Sequence, residues 1–446
     1  MSRRDDEYYD RDERRSSHKN NGEVRKSTRD DRYRDDRYRD DRDDYDDYDD
    51  RPVRRSSASS RNHSSSRNGS KSHSSASRSH SSKRGGSRGG SGKKKNNTKA
   101  IVILIAEVLV ACVLVLVAYH VFFKVDVTKV GKVNMNEEVI SNSISESAAE
   151  NEQMKGYTNI ALFGVDTRDE AKNQGAIKKN TRTDTIIIAS INNENGEVKL
   201  CSVYRDTYLN LSNDEYTKCN AAYAEGGPEQ AISMLNMNLD MDIEDFITIG
   251  FKGLTDVVNA LGGVEIDVTE AEISHLNNYQ ATMATELGLE YVPVTSTGLQ
   301  TLNGLQATAY CRIRYTAGDD FKRAERQRTV LMACLEKAKG KSYSDLETIA
   351  NKAFDETYTS LDLSEILELL KNVANYNVVD NGGFPEESMR ATGTIGKKGS
   401  CVVAVDLASN VKWLHQFLFN DSDYTISSDV QKFSDKIKSD TDPYLN

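Results

Sequence analysis

Arginine set beside aspartate recurs along this chain of 446 residues. Asp166 and Arg168 stand in GVDTR, Arg182 and Asp184 in TRTDT, and Arg205 and Asp206 in SVYRD. Arg312 and Arg314 follow in YCRIRY, then Asp320, Arg323 and Gln327 in DFKRAERQ. A guanidinium is planar, permanently charged and able to grip two phosphate oxygens at once. Aspartates without thiolate or imidazole partners suit a hard cation such as magnesium. Together these residue types describe a site for a pyrophosphate held by metal and arginines. Other chemistries are poorly supplied. Beyond residue 124 only His275 and His415 occur, neither in a motif, which argues against a histidine triad or a His-rich zinc site. No Gly-x-Ser-x-Gly elbow or NTPase-type glycine loop is present.

For such a site to exist, the elements must bring these side chains to one place. Residues 160–163, 185–191 and 198–203 are short apolar or β-branched runs bounded by turn residues, and they read as three strands. The turn at 192–196 makes the last two an antiparallel hairpin. If the first strand also pairs antiparallel with the second, Asp166, Arg168, Arg182, Asp184, Arg205 and Asp206 share one edge of the sheet. In YCRIRY, read as a strand over 309–315, Arg312 and Arg314 are two apart and share a face. In the amphipathic helix expected over 320–339, Asp320, Arg323 and Gln327 share a stripe. Taken singly, each Asp or Arg is as well read as a surface ion pair of small worth. Gathered together, they would carry repulsion that a solvated face does not explain. Arg326 and Arg328 read as solvated or structural, and Lys218 and Asn220 either join the site or shape a loop, the loop being preferred.

Between these motifs the pattern alternates. A helix is expected over 228–239, with Pro228 in its first turn, then a strand over 246–249. A helix over 251–261 closes at Gly262 and Gly263, and a strand follows over 264–268. Residues 273–300 read as a long irregular insertion, followed by a short helix over 302–308. Two helices and weaker strands fill 342–419. Strands alternating with helices imply an α/β or α+β fold, a mixed central sheet flanked by helices.

Composition divides the chain. Residues 1–99 hold hardly any aliphatic side chains, cannot bury enough apolar surface to offset their ordering entropy, and read as a disordered tail. Residues 1–50 carry 14 basic against 19 acidic side chains, and residues 51–99 carry 14 basic and none acidic, which leaves −19 on residues 100–446. So acidic a body argues against nucleic-acid binding. The apolar run 101–123 would be roughly 35 Å long as a helix, enough to cross a bilayer with some tilt. Residues 100–124 therefore read as a transmembrane helix. Lys93, Lys94, Lys95 and Lys99 precede it, which keeps the tail in the cytoplasm and sends the remainder outside. The tail's Tyr/Asp/Arg repeats and terminal lysines suit anionic lipid headgroups or an unknown cytoplasmic partner, or are simply solvated. Residues 125–156 read as a stalk, 157–425 as the folded domain and 426–446 as a C-terminal tail. Five cysteines lie beyond the span, an odd number without paired spacing, unlike a disulfide framework.

GVDTR, TRTDT, SVYRD, KCNAAYAEGG at 218–227, ALGGVEIDV at 260–268, LNGLQATAYCRIR at 302–314 and DFKRAERQ occur in an order that resembles the LytR-CpsA-Psr family. The resemblance covers roughly 157–339 and weakens towards 419. It implies a membrane-anchored enzyme of Gram-positive-type envelopes that transfers a glycopolymer, such as teichoic acid or capsule, from a polyprenyl pyrophosphate carrier to peptidoglycan. By the same resemblance Asp166 and Asp184 would hold magnesium, with manganese as the substitute. Arg182, Arg205, Arg312, Arg314, Arg323 and Gln327 would contact the pyrophosphate, and Asp320 would orient Arg323. The polyprenyl tail would need an apolar cavity built from elements between Ile160 and Leu335. The sequence departs from the family where Tyr204 replaces the usual proline before Arg205 and where the loop between Asp166 and Asp184 is longer. Asp206 or a metal-bound oxygen would take the acceptor's proton. Two other readings share these residues: a polyprenyl-pyrophosphate hydrolase that uses water, and a non-catalytic envelope sensor signalling through the tail.

Overall fold

The computed structural model describes residues 131–165, 181–314, 316 and 319–445. The N-terminal tail, the apolar run 101–123, Asp166 and Arg168 lie outside the described residues. Among the described residues no helix is long and apolar enough to cross a membrane.

Described residues begin with β1 (Gly131–Lys132), α1 (Glu137–Ser143) and α2 (Glu146–Ala149). Both short helices start on a side-chain cap, Asn136 and Ser145, and bury Ile140 and Ala148 in the main core. The expected stalk is thus largely part of the folded body. Next come β2 (Tyr157–Val165), β3 (Thr183–Asn192) and β4 (Glu197–Val203), paired antiparallel in succession as the sequence suggests. Their near-continuous apolar runs suit strands covered on both faces. Ala161, Phe163, Ile186, Ile188, Cys201 and Val203 face one layer of helices. Ile187, Ala189, Val198 and Leu200 face another.

A small hairpin, β5 (Tyr208–Asn210) with β6 (Tyr216–Lys218), leads to α3 (Ala221–Leu239). That helix breaks at Gly227, whose φ of +72° and ψ of −160° only glycine adopts easily, and restarts at Pro228. The second half is the helix expected over 228–239, and the first half, before Gly227, is helical as well. The strand β7 (Asp245–Gly250), α4 (Phe251–Leu261) and β8 (Val264–Val268) follow as expected.

The next stretch differs from expectation. In place of an irregular insertion, α5 (Glu270–Leu287) runs from a reciprocal Thr269 and Glu272 capping box, and β9 (Gly298–Leu302) pairs antiparallel with β8. The helix is polar along most of its length, so its apolar stripe is faint. The chain over 309–315 is also not a strand. Here α6 (Gly304–Tyr310), capped by Asn303 and Gln306, reaches into it and ends in a turn at Cys311 and Arg312. Tertiary packing decides this, because the small residues Ala307 and Ala309 are fully buried in a second apolar cluster with Val258 and Leu276.

The long helix α7 (Asp319–Lys339) lays Leu331 and Met332 on the second sheet face. Then come α8 (Tyr343–Ala353), β10 (Thr357–Thr359), α9 (Leu363–Asn372), β11 (Asn377–Phe384), β12 (Arg390–Thr394), β13 (Ser400–Ala404) and α10 (Leu407–Phe419). The central sheet is seven-stranded and mixed, in the order β1-β10-β7-β2-β3-β4-β11, with β12 and β13 a separate hairpin. A last helix, α11 (Ser428–Thr441), occupies the expected C-terminal tail and buries Val430, Phe433 and Ile437 in the main core.

Replacing fully buried Ile437 by alanine is therefore expected to cost about 2–5 kcal/mol of stability, the usual range for such a truncation. Urea unfolding checks it; a solvated tail would give no change.

Candidate functional site

Pairing puts the end of β2, the start of β3 and the end of β4 on one edge of the sheet, with Val165 opposite Thr183 and Ser202 opposite Ile187. The first turn of α7 arrives at that edge. Between them lies an open cleft lined by Asp184, Ser202, Tyr204, Arg205, Asp206, Asp320, Arg323 and Gln327, with Ile186, Val203, Ala324 and Val402 as apolar walls. The stripe Asp320, Arg323, Gln327 thus faces the cleft as helical spacing requires.

Arg205 links the two sides. It pairs with Asp184 across the edge, and its Nε stands 3.6 Å from Asp206 and 3.9 Å from Asp320. Asp320 lies 3.4 Å from Arg314 Nε and 3.5 Å from Arg323 Nη2. Burial pushes the Asp184 carboxyl up, but Arg205, Arg323 and Arg314 outweigh it and hold it below the usual 3.8. Asp320 is pushed up by burial as well, and Arg323, Arg314 and Arg205 together bring it below that value. Arg323 goes the other way. Its side chain is 6% exposed, and burial, then repulsion from Arg205 and Arg314, bring its guanidinium down to about 10 despite Asp320 and Asp184. A buried cation that its own carboxylates do not fully compensate is a seat for an added anion.

Several supports have partners that the sequence does not reveal. Arg326 is buried and structural: it donates to Glu272 at 2.7 Å, to the Ile313 carbonyl at 3.1 Å and to the Thr316 hydroxyl at 2.7 Å. It thereby fixes the segment that carries Arg314. Arg328, also buried, donates to Ser202 at 2.7 Å and Asn381 at 2.9 Å, tying α7 to β4 and β11. Lys218 does more than shape a loop, since its ammonium sits 3.3 Å from Asp206 in the cleft. Asn220 is buried and its N–H donates to the Arg205 carbonyl at 3.1 Å, with the Cys219 thiol at 3.3 Å. The motif KCNAAYAEGG carried this signal without revealing which backbone it would hold.

Not every expected residue converges. Arg182 is exposed at the start of β3 and is not among the cleft-lining residues. Arg312 lies with its guanidinium 4.7 Å from the Phe251 ring centroid and 5.2 Å from that of Tyr279, so the face it was expected to share with Arg314 does not exist. The cause is the turn that ends α6 in place of a strand. Asp166 lies outside the described residues, and among those described no group of three or more His, Cys, Asp or Glu could hold a metal.

The order of these motifs over one mixed sheet agrees with a broader similarity. Residues 121–406 match the LytR_cpsA_psr family. The chain belongs to this family. It is 29% identical over 193 residues to the polyisoprenyl-teichoic acid–peptidoglycan teichoic acid transferase TagV of Bacillus subtilis, covering 42% of this chain and 47% of TagV. To the transferase TagU of Enterococcus faecalis it is 30% identical over 214 residues, covering 47% and 63%. The chain thus matches only about half to two thirds of these relatives' length. In fold it is similar to a solved Streptococcus agalactiae protein, with a TM-score of 0.50 and 24% identity over 66% of this chain and 94% of that one.

Two outcomes follow from the electrostatics. Because the folded Asp184 carboxyl sits below its unfolded value, its contribution to stability is present above about pH 4 and lost as pH falls through the lower folded value. Asp184→Asn is then less stable than the parent near neutrality, and thermal melting should show the gap closing on acidification. Arg323 is lowered towards 10, so below pH 10 its charge costs folding free energy. Arg323→Gln is expected to melt at or above the parent temperature, while added inorganic pyrophosphate raises the melting temperature of the parent and not of the variant.

Proposed function

We propose that this chain is a membrane-anchored phosphotransferase that attaches a polyprenyl-pyrophosphate-linked glycopolymer, teichoic acid, capsule or similar, to peptidoglycan. The observation that carries this reading is three guanidinium groups gathered around Asp320, those of Arg205 and Arg323 lining the cleft and that of Arg314 reaching the same carboxylate. The names of the relatives TagV and TagU, both teichoic acid transferases acting on peptidoglycan, support the same chemistry. The apolar run 101–123 would anchor the enzyme, with residues 1–99 in the cytoplasm and the folded body outside a Gram-positive-type cell.

In this reading Arg205, Arg314 and Arg323, with Gln327, grip the pyrophosphate oxygens. An acceptor hydroxyl attacks the phosphorus that bears the glycan. A phosphorus–oxygen bond forms to the acceptor, the phosphoanhydride bond breaks, and polyprenyl phosphate leaves with the electron pair. Charge builds on that leaving phosphate, and guanidinium groups held in place and partly buried, as Arg205 and Arg323 are, are worth more there than in solvent. Asp206, held by Lys218, would accept the hydroxyl proton. Asp320 orients Arg323 and Arg314 by standing between them.

Asp184 fits a magnesium site as one carboxylate of two. Magnesium takes one or two carboxylates and fills its shell with water and phosphate oxygens, and the Asp184 carboxyl is held ionised in the cleft. With Asp166 as the second ligand, the ion, or manganese in its place, would neutralise pyrophosphate charge when bound. The isoprenoid would lie along apolar groups next to the cleft, where Ile186 and Val203 begin.

Loss of one charge-stabilising donor costs on the order of 10²–10³ in turnover. Arg205→Ala and Asp184→Ala are each expected to lose polymer transfer by that order while remaining folded, measured with lipid-linked polymer and peptidoglycan. Product analysis with and without acceptor separates transfer from hydrolysis. Normal transfer by either variant would overturn the assignment.

A further inference from the structure

Two aromatic rings flank the cleft arginines along the chain: Tyr204 directly precedes Arg205, and Phe321 lies two residues before Arg323. The rings meet edge to face, with 4.7 Å between centroids and 83° between planes. Onto this pair comes a third group from another part of the fold. Arg390, the first residue of β12, places its guanidinium 3.9 Å from the Phe321 centroid and 5.1 Å from that of Tyr204. Its Nη1 donates to the Tyr204 hydroxyl at 3.0 Å and to the Pro385 carbonyl at 3.4 Å, and its Nη2 stands 3.8 Å from Glu387. Only 14% of the Arg390 side chain is exposed.

The remaining contacts make Tyr204 a fixed point. Its N–H donates to the Phe384 carbonyl at 3.0 Å, and its own carbonyl accepts from the Thr207 hydroxyl at 2.6 Å and the Cys219 thiol at 3.3 Å. Gly383 on β11 leaves room for the ring, because a methyl group there would come within 2.1 Å of the tyrosine oxygen. Phe321, by contrast, sits half-buried in the first turn of α7, just after the irregular chain that carries Arg314. A cation held against two rings loses attraction to whichever ring shifts, and the attraction strengthens as water is excluded.

We propose that Arg390 is a positioning residue, whose guanidinium, seated against Tyr204 and Phe321, sets the distance between Arg205 and Arg323 across the cleft. It touches no reacting group. The inference rests on the pyrophosphate reading above, since only an anion gripped by both arginines makes their spacing matter. Misplacing such a grip by about an ångström costs up to 10²-fold in rate.

The test uses the full chain in detergent with lipid-linked polymer and peptidoglycan. Arg390→Met is expected to lower kcat by about 10- to 100-fold, with KM for the acceptor and the melting temperature near those of the parent. Arg390→Lys, which returns a cation to the rings, should recover most of the loss. Wild-type kcat in Arg390→Met, or a loss that Arg390→Lys does not relieve, overturns the proposal. Should Arg390→Met fail to fold, Phe321→Leu removes one ring and keeps the guanidinium's hydrogen bonds; the same kcat loss is expected, and normal turnover overturns the idea. Arg205→Ala serves as the control. If it too transfers normally, the functional reading falls; if it is dead while Arg390→Met is normal, only the positioning role falls.

Discussion

Three guanidinium groups crowd three carboxylates in this molecule, and most of what surrounds them serves to keep them there. Arg205 and Arg314 repel Arg323, and Asp320 and Asp184 offset that repulsion and the cost of burial without cancelling them, whereas at Arg205 burial is outweighed by Asp184, Asp206 and Asp320. Left to themselves, flexible side chains would swing apart into water. They stay because each backbone segment is held separately: the residues after β4 by Cys219 and Asn220, the turn before α7 by Arg326, and α7 by Arg328. Buried charge of this kind lowers stability, and natural sites accept that loss where function needs an unsatisfied group.

The frame that bears this strain is a mixed sheet with apolar layers on both faces. Its central strands meet at an edge where three chain segments end together, and a long helix closes that edge. Segments that look peripheral in the sequence complete the packing. Residues before Tyr157 add β1 at one end of the sheet, and α11 covers the core from the other terminus.

Much of this was legible in the residues. Runs such as IALFGV and TIIIAS announced β2 and β3 because buried strands tolerate little else, and FKGLTDVVNAL followed by two glycines marked both ends of α4. The helical stripe of Asp320, Arg323 and Gln327 survived intact, since a three-four spacing on a well-formed helix fixes direction. The Arg312 and Arg314 pair did not survive. YCRIRY has the composition of a strand, yet the capped helix before it and the tight packing of Ala307 and Ala309 carry the chain into a turn. Local pattern also could not show Arg326 and Arg328 as interior braces, because their partners lie as much as 126 positions away. The polar helix α5 was hidden for a related reason: its cap was written in Thr269 and Glu272, but no apolar stripe followed to be recognised.

Arg328 has a further consequence. Its hydrogen bonds go to the neutral groups Ser202 and Asn381, and Ser202 lines the cleft, so its charge is anchored next to the cleft by groups that carry none. An ion of that kind cannot turn away as solvent dipoles do. It imposes a standing potential on whatever occupies the space above, and on the proposed reading a phosphate shifting its electrons during bond cleavage would meet a medium already oriented to receive them.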